Sequence, residues 1–110
     1  MERDKIYIQH ILDAIGAIEK YTEAISAEQF LDSENRIIQD AVIRELEVVG
    51  EAVKRLSDGL KEETKDVPWR DIGDMRNVLI HEYFGVDLEI VWETLQSDIP
   101  QLKKVLETVK

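Results

Sequence analysis

Cysteine is absent from the 110-residue sequence, which excludes disulfides, thiolate metal sites and cysteine nucleophiles. The fold therefore does not depend on an oxidising compartment. No apolar run approaches the roughly 20 residues that span a bilayer. Residues 1–10 are charged and then amphipathic, without the apolar core of a signal peptide. We therefore expect a soluble, cytoplasmic protein with no membrane partner.

Proline and glycine are also scarce, with two and five residues. Apolar residues recur at steps of three and four, which indicates helices joined by short turns. The length suits one domain, so we expect residues 1–110 to form a single all-α domain, an up-and-down bundle of four to five helices. The expected helices cover about residues 3–26, 33–57, 68–81 and 87–95, with a short last helix from about Ser97 to Val109.

Apolar stripes on the first two expected helices predict an antiparallel pair, because a short connection joins them. The stripe residues are Ile8, Ile11, Ile15, Ile18 and Ile25 in the first helix, and Ile38, Ala41, Val42, Val49, Ala52, Val53 and Leu56 in the second. Ser33 and Asp87 are the predicted N-caps of the second and fourth helices. Trp69 and Trp92 are interpreted as packing residues.

The charge is strongly acidic, with 24 Asp and Glu against 14 Lys and Arg and a formal net charge of −10. Sequence-independent affinity for nucleic acid comes from Lys and Arg, so the composition argues against broad nucleic-acid binding. Any such chemistry needs a local site or a basic partner. Lys54 and Arg55 could border a nucleic-acid cleft, but a solvated face is the favoured interpretation.

Unusual polar residues concentrate in the segment PWRDIGDMRNVLIHEYFGVD, residues 68–87. At about 100° per helical residue, Arg76 and Tyr83 nearly superimpose, whereas His81 lies about 140° from Arg76. The three converge only if the helix end bends or a second subunit completes the site. A small domain gains burial by pairing with itself, and a two-fold interface would bring two copies of each side chain together.

The chemistry open to these residues is limited. A histidine with an ordinary pKa of about 6.5 can take or give a proton at neutral pH, and arginine forks onto phosphate oxygens. Together they suit cleavage of an RNA phosphodiester without a metal or another cofactor. Tyr83 could bond a phosphate, stack on a base or accept a modifying group. The spacing alone is a weak signal, and a structural role is the favoured interpretation without further support. His10, the other histidine, is interpreted as a surface residue.

The wider segment resembles the HepT-like branch of the HEPN superfamily, and the similarity covers essentially the full chain. The residues that carry it are Pro68, Trp69 and Arg70, then Met75, Arg76 and Asn77, then the run His81 to Gly85, then Val91 and Trp92, and the run Glu47 to Ala52 in the second helix. The resemblance implies a bundle of four or five helices that forms a homodimer with a composite active site. It also implies a toxin that acts as a metal-independent RNase.

The resemblance assigns roles to individual residues. Arg76 and His81 would be the catalytic pair, and Asn77 would fill the supporting polar position after the arginine. Tyr83 matches the position that, in some such pairs, a partner nucleotidyltransferase antitoxin modifies with AMP to silence the toxin. One alternative stays open: a catalytically inactive helical module that binds and regulates its nucleotidyltransferase partner.

Overall fold

Every regular element in the described part of the chain is helical, which confirms the all-α prediction. The computed structural model describes residues 2–81 and 87–109, and for residues 2 and 76–81 it describes the backbone alone. The helices within these ranges are α1 Glu2–Thr22, α2 Ala27–Leu31, α3 Arg36–Lys54, α4 Asp58–Glu63, α5 Trp69–His81, α6 Leu88–Gln96 and α7 Asp98–Val109. A 3₁₀ turn, Ser33–Asn35, precedes α3.

The five longer helices correspond to the predicted ones, whereas α2 and α4 were not predicted. The predicted ends of the first two long helices, near residues 26 and 57, are wrong because α1 ends at Thr22 and α3 at Lys54. A serine restarts the chain as a new helix in each case. The hydroxyl oxygens of Ser26 and Ser57 each accept a hydrogen bond of 3.2 Å from the backbone N–H three residues later.

The predicted cap at Ser33 is also wrong. The carboxylate of Asp32 instead accepts from the backbone N–H of Glu34 at 2.9 Å, and Ser33 lies inside the 3₁₀ turn. Buried Gln39 then closes the turn between α2 and α3, because its amide donates to two backbone carbonyls, of Phe30 at 2.8 Å and Asp32 at 2.9 Å. The cap at this connection is therefore Asp32, the residue before the predicted Ser33.

The predicted cap at Asp87 is confirmed, since its carboxylate accepts from the backbone N–H groups of Glu89 at 2.9 Å and Ile90 at 3.4 Å. The helix break expected at Phe84 and Gly85 lies outside the described residues. After α6, the backbone N–H of Ser97 bonds the carbonyl of Glu93, and α7 begins at the next residue. The predicted restart of the last helix is thus confirmed within about one residue.

The core is built around α1 and α3, as the two apolar stripes predict, and α2, α5, α6 and α7 add buried residues to it. The stripe residues are buried except Ile25, Ile38 and Ala41, which are half-buried, and the core also contains Leu46, which the predicted stripe omitted. The two helices run antiparallel: Asp4, near the start of α1, forms hydrogen bonds with Ser57, which lies just beyond the end of α3. The carboxylate of Asp4 accepts from the backbone N–H of Ser57 at 2.8 Å and from its hydroxyl at 2.7 Å.

Asp4 is buried, and its pKa reflects two opposing effects. Burial by itself would raise the pKa of this carboxyl, but the two hydrogen bonds from Ser57, helped by the nearby N-terminal charge, bring it below its usual range. Asp4 therefore stays ionised at neutral pH. A charged carboxylate thus holds the start of α1 to the residue that caps α4.

The remaining helices pack around this pair. Helix α5 lies along α3, α6 pairs with α7, and α7 also contacts α1, where the Lys103 ammonium lies 2.9 Å from the Glu19 carboxylate. Helix α2 joins α6 through the rings of Phe30 and Trp92, whose centroids are 5.1 Å apart. The bundle measures 43 × 28 × 21 Å. Within the described ranges no helix has both the length and the apolar character needed to span a membrane.

Candidate active site on helix α5

The start of α5 is held by hydrogen bonds from three directions. Trp69 is buried, as expected of a packing residue, and its indole N–H donates to the backbone carbonyl of Thr64 at 3.0 Å. The backbone N–H of Ile72 bonds the carbonyl of Pro68 at 3.1 Å, which closes the first turn. The side chain of Gln101, on α7, donates to the carbonyl of Asp66 at 2.8 Å. The N-terminal end of the helix that carries the candidate residues is therefore anchored to the rest of the bundle.

One face of α5 packs on the bundle and the opposite face is exposed. Ile72 and Gly73 are buried and Met75 is half-buried, whereas Asp71 and Asp74 are exposed. Gly73 packs against α3, since a Cβ built on it would lie 3.4 Å from Cγ of Lys54 and 3.8 Å from Cγ1 of Val53. This contact fixes the rotation of α5 about its axis one turn before Arg76.

The predicted site residues fall at and beyond the end of this helix. Arg76, Asn77 and His81 belong to α5, of which His81 is the last residue, and Tyr83 lies outside the described residues. The backbone between positions 76 and 81 is continuous α-helix, so these two positions lie about 140° apart around the axis. The described backbone therefore does not by itself bring the two positions onto one face of the helix.

A groove opens between α3, α4 and α5; sequence reasoning named Lys54 as a residue that could border a cleft but did not predict the groove itself. The groove has a volume of about 280 Å³ and places three cations beside one carboxylate, Lys54, Lys61 and Arg70 with Asp74. Its floor is Val53, Trp69 and Gly73. We call these seven residues the basic groove. Its cations come from three different helices, so no spacing along the sequence marks it.

A second groove, of about 330 Å³, lies between α1 and α3. It is lined by Tyr7, His10, Arg44, Glu47, Val48, Glu51 and Ala52. His10 is exposed, as predicted, and its ring meets that of Tyr7 edge to face with centroids 5.9 Å apart. In the described part of the chain, no group of three or more His, Asp or Glu side chains is arranged to hold a metal ion.

Comparison with known proteins identifies the family of the chain. A family model described as Ribonuclease HepT-like matches residues 11–109, which include all of α5 and the segment that follows it. The chain belongs to the HepT-like ribonuclease family. The resemblance seen in the sequence is thereby confirmed, and it extends over nearly the whole bundle.

Individual relatives of this HepT-like chain show the same extent of similarity. It is 42% identical over 106 residues to the "Probable ribonuclease HepT" of Thermococcus cleftensis, which covers 96% of this chain and 94% of the relative. It is 45% identical over 105 residues to a "Gamma-glutamylcyclotransferase and putative RNase" of Methanocaldococcus jannaschii, covering 94% of this chain. The chain spans only 46% of that second relative's length. No solved structure matches the chain.

Proposed function

We propose that this chain is the toxin of a toxin–antitoxin pair and a ribonuclease that cleaves RNA phosphodiester bonds without a metal ion. The observation that carries the proposal is the family match, which spans the Arg76, His81 and Tyr83 motif in α5 and beyond it. Relatives of matching length bear ribonuclease names. The catalytic pair in this proposal is Arg76 and His81, with Asn77 in support.

The two side chains supply what RNA cleavage by its own 2′-hydroxyl requires. The imidazole of His81 takes the proton from the 2′-hydroxyl, whose oxygen attacks the phosphorus while the bond to the 5′-oxygen breaks. The leaving 5′-oxygen takes a proton from solvent water, and the 5′ fragment ends in a 2′,3′-cyclic phosphate. The guanidinium of Arg76 stabilises the charge that develops on the phosphorane oxygens.

The proposed site is shared across a homodimer. Because α5 is continuous from Arg76 to His81, one copy of the helix presents the two positions about 140° apart. A two-fold axis near the end of α5 would set Arg76 of one protomer beside His81 of the partner subunit, and would do so twice. The helix geometry thus supports a composite site over one built within a single chain.

Cleavage by the purified wild-type protein in excess EDTA tests the central claim. We expect a 5′-labelled RNA oligonucleotide to be cut at the same rate with EDTA as with added Mg²⁺, and the 5′ product to carry a cyclic phosphate. A matched oligonucleotide with 2′-deoxyribose throughout should stay intact, because it has no attacking hydroxyl. RNA that remains whole under both conditions, at protein concentrations high enough to saturate it, would contradict the proposal.

Silencing by AMP at Tyr83 forms the second part of the proposal, since the motif places this tyrosine two residues after His81. With a cognate nucleotidyltransferase and ATP, we expect the mass of the chain to rise by whole units of AMP and its RNase activity to fall. Tyr83→Phe should gain no adduct, whereas Tyr21→Phe, at an exposed position on α1, should be modified like wild type. An adduct on a chain that never cuts RNA would instead identify a regulatory module.

A further inference from the structure

The basic groove has a charge opposite to that of the chain around it. Its three cations and one carboxylate give it a local charge of +2, whereas the whole chain carries −10. Lys54 and Arg70 are exposed and Lys61 is half-buried, so all three charged ends reach solvent. An anion that approaches this acidic protein therefore meets an attractive surface here.

Within the part of the chain that the structure describes, the cations of the basic groove form no ion pair with a carboxylate. The ion pairs formed among described residues involve Arg36, Arg55 and Lys103, and none includes Lys54, Lys61 or Arg70. Arg55, next to Lys54, lies 3.3 Å from Glu51, which separates the roles of two residues that the sequence presents as one basic pair. The three groove cations therefore remain available to an external anion.

Packing holds Lys54 in position across the groove. Its side-chain stem passes over Gly73 of α5, where Cγ and Cε would lie 3.4 and 3.9 Å from a Cβ built on the glycine. Lys54 of α3 thereby contacts α5, the helix that bears the motif. The stem of Lys54 thus lies against α5, while the residue as a whole remains exposed to solvent.

The basic groove leads directly to the motif along α5. At a rise of 1.5 Å per residue, Arg70 lies about 9 Å along the helix axis from Arg76, and Gly73 about 12 Å from His81. An RNA strand bound at Arg76 or at His81 of this helix would therefore lie only a short distance along the helix axis from the groove. We propose that the basic groove binds phosphates of the RNA strand next to the cleaved bond, an inference that rests on the proposed ribonuclease function.

The groove recognises phosphates and not bases. Its aromatic residue, Trp69, is 9% exposed and its indole N–H is already bonded to Thr64, so neither its face nor its donor is open to a base. Beside the one carboxylate of Asp74, the other charged contacts are two ammonium groups and one guanidinium, which bind phosphate oxygens without regard to sequence. The groove therefore adds affinity and register to RNA binding, and sequence preference arises elsewhere.

Equilibrium binding of a labelled RNA oligonucleotide tests this inference, with both charge variants built on His81→Ala so that the RNA survives. The groove variant combines Lys54→Gln, Lys61→Gln and Arg70→Gln. We expect its Kd to rise about tenfold or more at low salt. The slope of log Kd against log salt concentration should fall by about 0.7 for each removed contact, or about 2 in all.

A matched control removes the same charge elsewhere and combines Lys20→Gln, Arg36→Gln and Lys104→Gln. These exposed residues line none of the groove, and Arg36 is 18 residues from Lys54 in α3, or about 27 Å along the axis. The control should bind RNA with nearly the parent slope. If the groove variant and the control bind RNA equally, the inference is wrong, and it is equally wrong if the groove variant loses a nucleotidyltransferase partner and keeps RNA affinity.

Kinetics with His81 intact separate this inference from the proposed function. The groove variant should raise KM for a long RNA about tenfold with little change in kcat, and should cleave a dinucleotide as wild type does, because the dinucleotide is too short to reach the groove. If the wild-type protein cuts no RNA but the groove variant still loses RNA affinity, the proposed ribonuclease function is wrong and RNA binding at the basic groove is supported. If the groove variant cleaves long RNA as wild type does, RNA binding at the basic groove is wrong and the proposed ribonuclease function is supported.

Discussion

Replacing His81 with alanine is expected to lower kcat/KM for RNA cleavage by about 10² to 10⁴-fold, the usual contribution of a positioned acid–base group. The loss should fall mainly on kcat, since the imidazole stabilises the transition state of proton transfer and not the bound ground state. Single-turnover cleavage of a labelled oligonucleotide, with enzyme in excess, measures the effect directly. Far-UV circular dichroism and the thermal midpoint should match wild type.

His10 provides the matched control, because the chain has two histidines and this one is exposed on α1. His10→Ala should leave cleavage unchanged. Equal losses for the two variants, or wild-type rates for His81→Ala, would remove His81 from the catalytic pair. Arg76→Ala should resemble His81→Ala, because the phosphorane charge would lose its stabilising partner.

Mixing the two inactive variants reports whether the site is shared. If Arg76 of one protomer works with His81 of its partner, a heterodimer of Arg76→Ala and His81→Ala contains one complete site and one empty site. Random exchange makes half the dimers heterodimers, so about a quarter of wild-type activity should return on mixing. A site built within one chain would regain nothing, because each chain would still lack one of the two groups.

Local signals explain the parts of the fold that sequence reasoning predicted well. Asp87 caps α6 because its carboxylate reaches backbone N–H groups two and three residues later, a contact that needs no distant partner. Pro68 and Trp69 mark the start of α5 for similar reasons, since proline suits a first turn. The apolar periodicity identified most of the buried faces of α1 and α3, because burial along a helix repeats every three to four residues.

Parts set by competition or by tertiary packing were not predictable. Ser33 and Asp32 are both good caps, and the choice depends on Gln39, which binds the carbonyls of the preceding turn from inside the bundle. The basic groove is a stronger case, because its cations lie at positions 54, 61 and 70 on three helices. Sequence showed the motif of α5, but only the packing of α3 and α4 against that helix shows the surface beside it.

Phe30→Ala is expected to lower the free energy of unfolding by about 3 to 5 kcal/mol, the largest effect on stability that we predict. The ring of Phe30 is fully buried, and its centroid lies 5.1 Å from that of Trp92. Helix α2 has five residues, too few to be stable alone, and Phe30 is its buried residue. Its loss would leave a cavity between α2 and α6 and detach the short helix from the bundle.

Urea unfolding followed by tryptophan fluorescence measures this loss, since Trp92 reports the same contact. All variants must be compared at one protein concentration, because a dimer would make the midpoint concentration-dependent. Ile37→Ala is the matched control: this residue is 86% exposed at the start of α3, so its truncation should change stability by less than about 0.5 kcal/mol. A midpoint for Phe30→Ala as close to wild type as that of Ile37→Ala would show that α2 is dispensable for folding, and that α1, α3 and α5 hold the core without it.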